Sequence, residues 1–298
     1  MPWPNTLLIG AMKSGTSSVY EYLRQHPQIY MSPIKEPEFF AFETAPNFVG
    51  FKDDRIPYVI DATAYRALFD GVNREIAIGE ASTIYLYWPT AAERIRRLAP
   101  DAKLIAILRH PVDRAYSNFV QLVRHRHESL MDFGAALREE ESRVARRWGP
   151  RWHYKRRGLY GEQLQRYFDR FAPERLRVYL YEDLNRDAIA VLQDIFRFIG
   201  VDDSFKPDVS MRFNVSGVPM SPGLDRWLRS RTSRVKAIVR PLLPLALRRR
   251  AINSAMNSNL RSAPPLTPAV RAELTEFFRA DILRLQDLIG RDLSHWLR

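Results

Sequence analysis

The chain has 298 residues, 46% of them hydrophobic and 27% charged, which is the balance of a soluble globular protein able to bury a sizeable core. Forty-six lysines and arginines against 34 acids give a net charge of +12, so phosphorylated or sulfated molecules, nucleic acid and anionic lipid all qualify electrostatically as partners. With no cysteine there is no disulfide framework, no thiolate nucleophile and no thiolate metal site, and the six histidines show no metal-ligand spacing.

The first element is the apolar run "TLLIGA" at 6–11, a predicted buried strand, followed by a glycine turn and a helix over 16–25. No basic leader with a signal-type apolar run precedes it, which favours a cytoplasmic protein. A weaker strand, "EIAIGEA", lies at 75–81, and a strong one, "KLIAILR", at 103–109. Pro111 suits the first turn of the helix predicted over 112–127, where a missing N–H costs nothing. A cluster of Arg146, Arg147, Arg151, Lys155, Arg156 and Arg157, interleaved with Trp148, Trp152 and Tyr154, reads either as a receiving surface for a saccharide or anionic acceptor or as a solvated basic loop. A helix over 159–171, a strand "LRVYLYE" at 176–182 and helices over 187–199 and 268–288 complete the pattern.

Between Leu224 and Arg250 nine basic residues face one acid, Asp225: a solvated helix pair, an acceptor-site lid or a peripheral membrane contact. No segment reaches the ~20 apolar residues that a bilayer span needs. The nearest, "AIVRPLLPLAL" at 237–247, is broken by Arg240 and two prolines. Short apolar strands alternating with helices predict an α/β fold, a three-layer sandwich whose central parallel sheet is flanked by helices. A single domain over 1–298, with a basic helical insertion or lid around 218–255, is expected.

The turn in "LLIGAMKSGTSSVYEYLRQHP" (7–27) is where chemistry concentrates. A strand-to-helix turn presents backbone N–H groups and the positive end of the helix dipole, and so binds anions. Gly10 and Gly15 permit close approach, and Ser14, Thr16, Ser17 and Ser18 add hydroxyls. An ATP or GTP loop has its lysine directly after the second glycine; here Thr16 stands there and Lys13 lies earlier, inside the loop. That placement points to the terminal group of a shorter diphosphate-like ligand. Further on, "LRHPVDRAYSNF" sets Arg109 at a strand end and Ser117 about two helical turns on, a pair suited to a second phosphate held away from the loop.

On these two stretches, "GAMKSGTSSVYEYLRQHP" and "ILRHPVDRAYSNF", the chain resembles sulfotransferases that use 3′-phosphoadenosine-5′-phosphosulfate (PAPS), and most of all the bacterial branch related to heparan sulfate N- and 3-O-sulfotransferases. "KEPEFF" (35–40), "GEASTIYL" (79–86), "GLYGEQLQRYFDRF" (158–171), "VYLYEDL" (178–184) and "IGRDLSHWL" extend the likeness over most of the chain. The resemblance implies a P-loop-like fold and transfer of the sulfuryl group of PAPS to a hydroxyl or amine, leaving adenosine 3′,5′-bisphosphate (PAP), without a metal. It assigns Lys13 to the leaving phosphate, Ser14, Gly15, Thr16, Ser17 and Ser18 to the 5′-phosphate, Arg109 and Ser117 to the 3′-phosphate, and Lys35 to the neighbourhood of the sulfuryl group.

A base must take the acceptor proton as the new bond forms. Glu80, in "GEAS", matches a carboxylate of heparan-type enzymes and is the expected base, with His110 in reserve. "MRFNVSGVP" (211–219) and "NSNLRSAPP" (257–265) resemble cofactor-closing loops, with Arg261 the counterpart of a cofactor-binding arginine, although Leu260 replaces the glycine expected before it. Tyr160 reads as either core or site wall. The acceptor stays open among carbohydrate, lipid and small hydroxylated metabolites, and no specific nucleic acid is implied. Two other readings stand beside this one: an ATP- or GTP-dependent phosphotransferase, with Glu182 and Asp183 as a magnesium-binding strand end, and a nonenzymatic basic protein binding nucleic acid or membrane.

Overall fold

A computed structural model describes residues 3–49, 58–211, 217–221 and 263–298, with 223, 224, 228, 252 and 254–261 between the last two blocks. The basic run 224–250 lies almost entirely outside the described residues, as do 212–216 of the first expected closing loop.

Five parallel strands form the central sheet: β1 (Thr6–Gly10), β2 (Ile29–Met31), β3 (Ala77–Ala81), β4 (Lys103–Leu108) and β5 (Leu176–Leu180), in spatial order β2-β3-β1-β4-β5. β1 lies at the centre, and each of its residues is buried because both of its faces are covered. Alternation along the strand feeds two separate cores. Leu7 and Ile9 join Leu104, Ala106 and Leu108 on one face. Leu8 joins Ile105 and Ile107 on the other. Burying side chains of this size stabilises the fold by roughly 1.5–3 kcal/mol each.

Helices α1 (Thr16–Leu23) and α10 (Ala188–Ile199) pack on the Leu8 face. On the Leu7 face lie α3 (Ile84–Tyr87), α4 (Ala91–Leu98), α5 (Pro111–Arg124), α8 (Tyr160–Phe168) and α11 (Pro268–Ile289). Shorter helices α2 (Ala62–Ala67), α6 (Phe133–Arg138), α7 (Glu140–Ala145) and α9 (Tyr181–Arg186) fill the connections. The sandwich is the one expected, with three differences. β2 has three residues, too few for periodicity to announce, and exists because β3 offers it a partner. The apolar run at 176–182 turns helical at Tyr181, which places Glu182 and Asp183 in the first turn of α9. A two-stranded antiparallel pair, β6 (Val218–Pro219) with β7 (Leu260–Arg261), lies outside the main sheet. Among the described residues no helix is long and apolar enough to cross a membrane.

Candidate active site

β1 delivers the chain to the carboxyl edge of the sheet, where the Ala11 amide donates to the Ile107 carbonyl at 2.7 Å and the Ser14 amide turns back to Ala11 at 3.2 Å. Lys13 and Gly15 both take positive φ, 70° and 85°, curling the loop around its own amides. Gly15 is required twice over: its conformation disfavours a side chain, and a Cβ there would stand 2.9 Å from Cδ2 of Leu184 on α9. α1 starts at Thr16 with no side-chain cap and no acid in its first turn. Its first-turn amides therefore face a place where an anion is the fitting partner.

That place is a cavity of about 810 Å³ lined by Lys13, Gly15, Thr16, Ser17, Ser18 and, from other elements, Lys35 and Arg109. Arg109 follows β4, lies with its guanidinium 4.9 Å from the Tyr181 ring centre and donates to the Lys13 carbonyl at 3.4 Å, tying the loop to the neighbouring strand end. Burial first, then repulsion from Arg109, Arg124, Lys35 and Arg114, pushes the Lys13 ammonium down to about 7. Among the described residues, cations thus gather here and burial and their repulsion act together on Lys13, a state that an anionic ligand relieves. Tyr181, Leu184 and Val209 give the same end an apolar wall.

The "KEPEFF" segment docks across the ends of β3 and α3. Glu36 N–H donates to the Ala81 carbonyl at 2.8 Å and Glu38 N–H to Ser82 Oγ at 3.1 Å. Both glutamates have positive φ and both line the cavity. The Glu36 carboxylate accepts from Lys35 Nζ at 2.6 Å and from the Thr83 amide at 2.7 Å.

Glu80 is placed differently. It is fully buried in β3 and is not part of the cavity wall. Oε1 accepts from Tyr65 and Tyr85 at 3.1 and 2.6 Å, and Oε2 accepts from Ser82 at 2.9 Å. Burial pushes its carboxyl up to about 7 against the opposing effect of those hydroxyls. Ser82 joins Glu80 to the Glu38 amide, and Tyr85 joins it to the Phe40 amide at 3.3 Å, so Glu80 anchors the segment that carries the other two glutamates. The sequence singled out that segment for its lysine and offered its acids only as partners of Lys35, a pairing that Glu36 makes. Two acids flanking a proline, directly after the lysine, were the available signal.

Five further residues that the sequence singled out lie off the cavity wall. Ser14 is fully buried beneath the loop, its hydroxyl beside that of Tyr160. Tyr160 itself is core, with its phenol pushed up to about 12, chiefly by burial. Ser117 is buried on α5. His110 caps α5, its Nδ1 accepting from the Val112 amide at 3.2 Å; the ring serves the helix start that Pro111 also marks. Arg261 is exposed on β7. Of the basic and aromatic cluster, Arg151, Trp152 and Arg157 reach the cavity. Glu182 accepts from Trp296 and Asp183 pairs with Arg186 and Arg291, so these acids bind the C-terminal tail and α9 rather than forming a strand-end metal site.

A model of the sulfotransferase family matches residues 80–206. Along its whole length the chain is similar to the crystal structure of a sulfotransferase from Alicyclobacillus acidocaldarius, at 37% identity with 100% of both chains covered and a TM-score of 0.79. Bifunctional heparan sulfate N-deacetylase/N-sulfotransferase 4 of Mus musculus is 25% identical over 99% of this chain and 31% of its own length. Heparan sulfate glucosamine 3-O-sulfotransferase 6 of Homo sapiens is 31% identical over 56% of this chain and 44% of its own. The chain thus spans 31% of the bifunctional relative and under half of the other.

Proposed function

The chain belongs to the sulfotransferase family, and from that premise we propose that it transfers the sulfuryl group of PAPS to a hydroxyl or amine acceptor. The observation that carries the reading is the convergence of Lys13, Lys35 and Arg109 with the uncapped start of α1 on one cavity. A donor with a 5′-phosphosulfate and a 3′-phosphate matches that distribution of charge, and it supplies an activated sulfuryl group when bound. Gly15, Thr16, Ser17 and Ser18 hold the 5′-phosphate by amides and hydroxyls. Arg109 holds the 3′-phosphate, with its guanidinium fixed against Tyr181. Lys13 places positive charge where the departing phosphate oxygen gains negative charge.

Glu36, rather than Glu80, takes the acceptor proton. Its carboxylate lines the cavity and touches Lys35, which keeps a cation beside the transferred group. Glu80 holds the Glu38 amide through Ser82 and so steadies the segment that carries Glu36. Titration calorimetry with PAP tests the donor assignment: binding without magnesium, with no competition from ATP and magnesium, is expected. Preferential binding of magnesium-ATP would favour a phosphotransferase instead.

A further inference from the structure

Beyond the donor end, the cavity wall changes chemistry. Phe42 is 5% exposed and meets Trp88, Tyr58 and Phe48 edge-on at ring separations of 4.8, 5.4 and 5.9 Å. Trp152 is 2% exposed and set edge-on against Trp148 at 5.0 Å. Phe48 and Tyr58, which line the cavity and are only half-buried, are backed by these rings and present fixed apolar faces to a ligand at small entropic cost.

Among the described residues, several cations near this end have partners within the protein. Lys35 pairs with Glu36, Arg146 with Glu139 and Arg156 with Glu141. Arg157 is 5% exposed, donates to the Thr83 carbonyl at 3.3 Å and lies over the Tyr87 ring.

Glu38 stands apart from these. Its backbone is fixed by the bond to Ser82, yet its carboxyl has no hydrogen-bond partner among the described residues while lining the cavity. Arg151 and Arg157 act on it through their charge, and a ligand hydroxyl in the cavity would supply the hydrogen bond. Resting on the sulfotransferase reading above, we propose that the acceptor is an uncharged aryl alcohol bearing a second hydroxyl, seated against Phe48 and Tyr58 and hydrogen-bonded through that second hydroxyl to Glu38. The bond has a ready donor at neutral pH, since burial, and next the Glu36 charge, push the Glu38 carboxyl up to about 8. One hydroxyl faces Glu36 for transfer while the other fixes the orientation of the ring.

The test is equilibrium binding to the PAP-loaded protein of 4-methylcatechol, 4-methylphenol and a desulfated, N-deacetylated heparan polysaccharide, repeated with Glu38→Ala and Glu38→Gln. The wild type is expected to bind the catechol about tenfold more tightly than the phenol, as for one well-placed hydrogen bond. Glu38→Ala removes that preference and Glu38→Gln, which can still donate, keeps most of it; a merely structural role would not separate the two ligands. Tighter binding of the polysaccharide, equal binding of catechol and phenol, or no binding of either aromatic overturns the proposal and leaves the donor reading standing. Failure of PAP itself to bind overturns the donor reading and this one with it.

Discussion

At the proposed donor end of the cavity, Lys13 and Gly15 to Ser18 fall within six consecutive positions and present backbone amides and a helix start. At the proposed acceptor end, Glu36, Glu38 and Phe42 come from one short segment and Thr83 and Trp152 from two others far along the chain, so the wall is assembled by tertiary packing of side chains. The difference separates what is generic from what is particular. A curled loop before a helix binds phosphate whichever side chains surround it, whereas a wall assembled from separate loops can change acceptor without disturbing the sheet.

The sharpest break between the two ends is expected from Lys13→Ala, which should lower kcat by about 10²–10³-fold in a steady-state assay of PAP release, as for loss of one preorganised charge-stabilising group. Glu36→Gln comes next, lowering kcat by about 10²–10⁴-fold with PAP affinity unchanged in calorimetry. Glu80→Gln should stay within about tenfold of wild type, because its contribution passes through Ser82; a loss equal to that of Glu36→Gln would return the base role to Glu80.

Arg109→Ala should weaken PAP binding by about 10–100-fold, the scale of a lost charged hydrogen bond, with a smaller change in kcat at saturation. Lys13 also predicts a pH dependence. Its free ammonium titrates near 7 and the anionic ligand binds the protonated form, so PAP affinity should fall as pH rises above 7. Lys13→Arg should flatten that slope, since arginine stays charged.

The smallest effect concerns Glu80 and stability. Its carboxyl is raised from 4.5 in the unfolded chain to about 7 in the fold. Between those values the folded state holds the extra proton, so its contribution to stability is greatest at low pH and is lost as pH rises through 7. Melting curves should therefore show Glu80→Gln gaining on the wild type between pH 5 and pH 8.

The strands β1, β3, β4 and β5 were legible because each is a short apolar run bounded by turns, and five of the helices fall where periodicity put them. The curled loop between β1 and α1 was legible for a similar reason: it is set by local backbone geometry, which Gly10, Lys13, Gly15 and the following hydroxyls write directly into the sequence. Glu80 shows where such reading stops. A carboxylate at a strand end is the right chemical type, but which way it faces depends on Tyr65, Ser82 and Tyr85 meeting it in the core.

His110 and Gly161 show the same limit. A histidine beside Arg109 reads as a base until the helix behind it claims Nδ1 for its cap. Gly161 takes its reason from the tertiary structure: Asp281 of α11 caps the amides of Gly161 and Glu162, each at 2.9 Å, in a space where a Cβ would stand 2.8 Å from the Asp281 carbonyl oxygen. The sequence by itself determined the sheet, the helix-bearing pattern and the phosphate loop, because these rest on interactions among near neighbours. Only the tertiary structure decided which carboxylates meet the cavity and which hold the core, because that choice is made by partners distant in the chain and by which groups burial leaves without them.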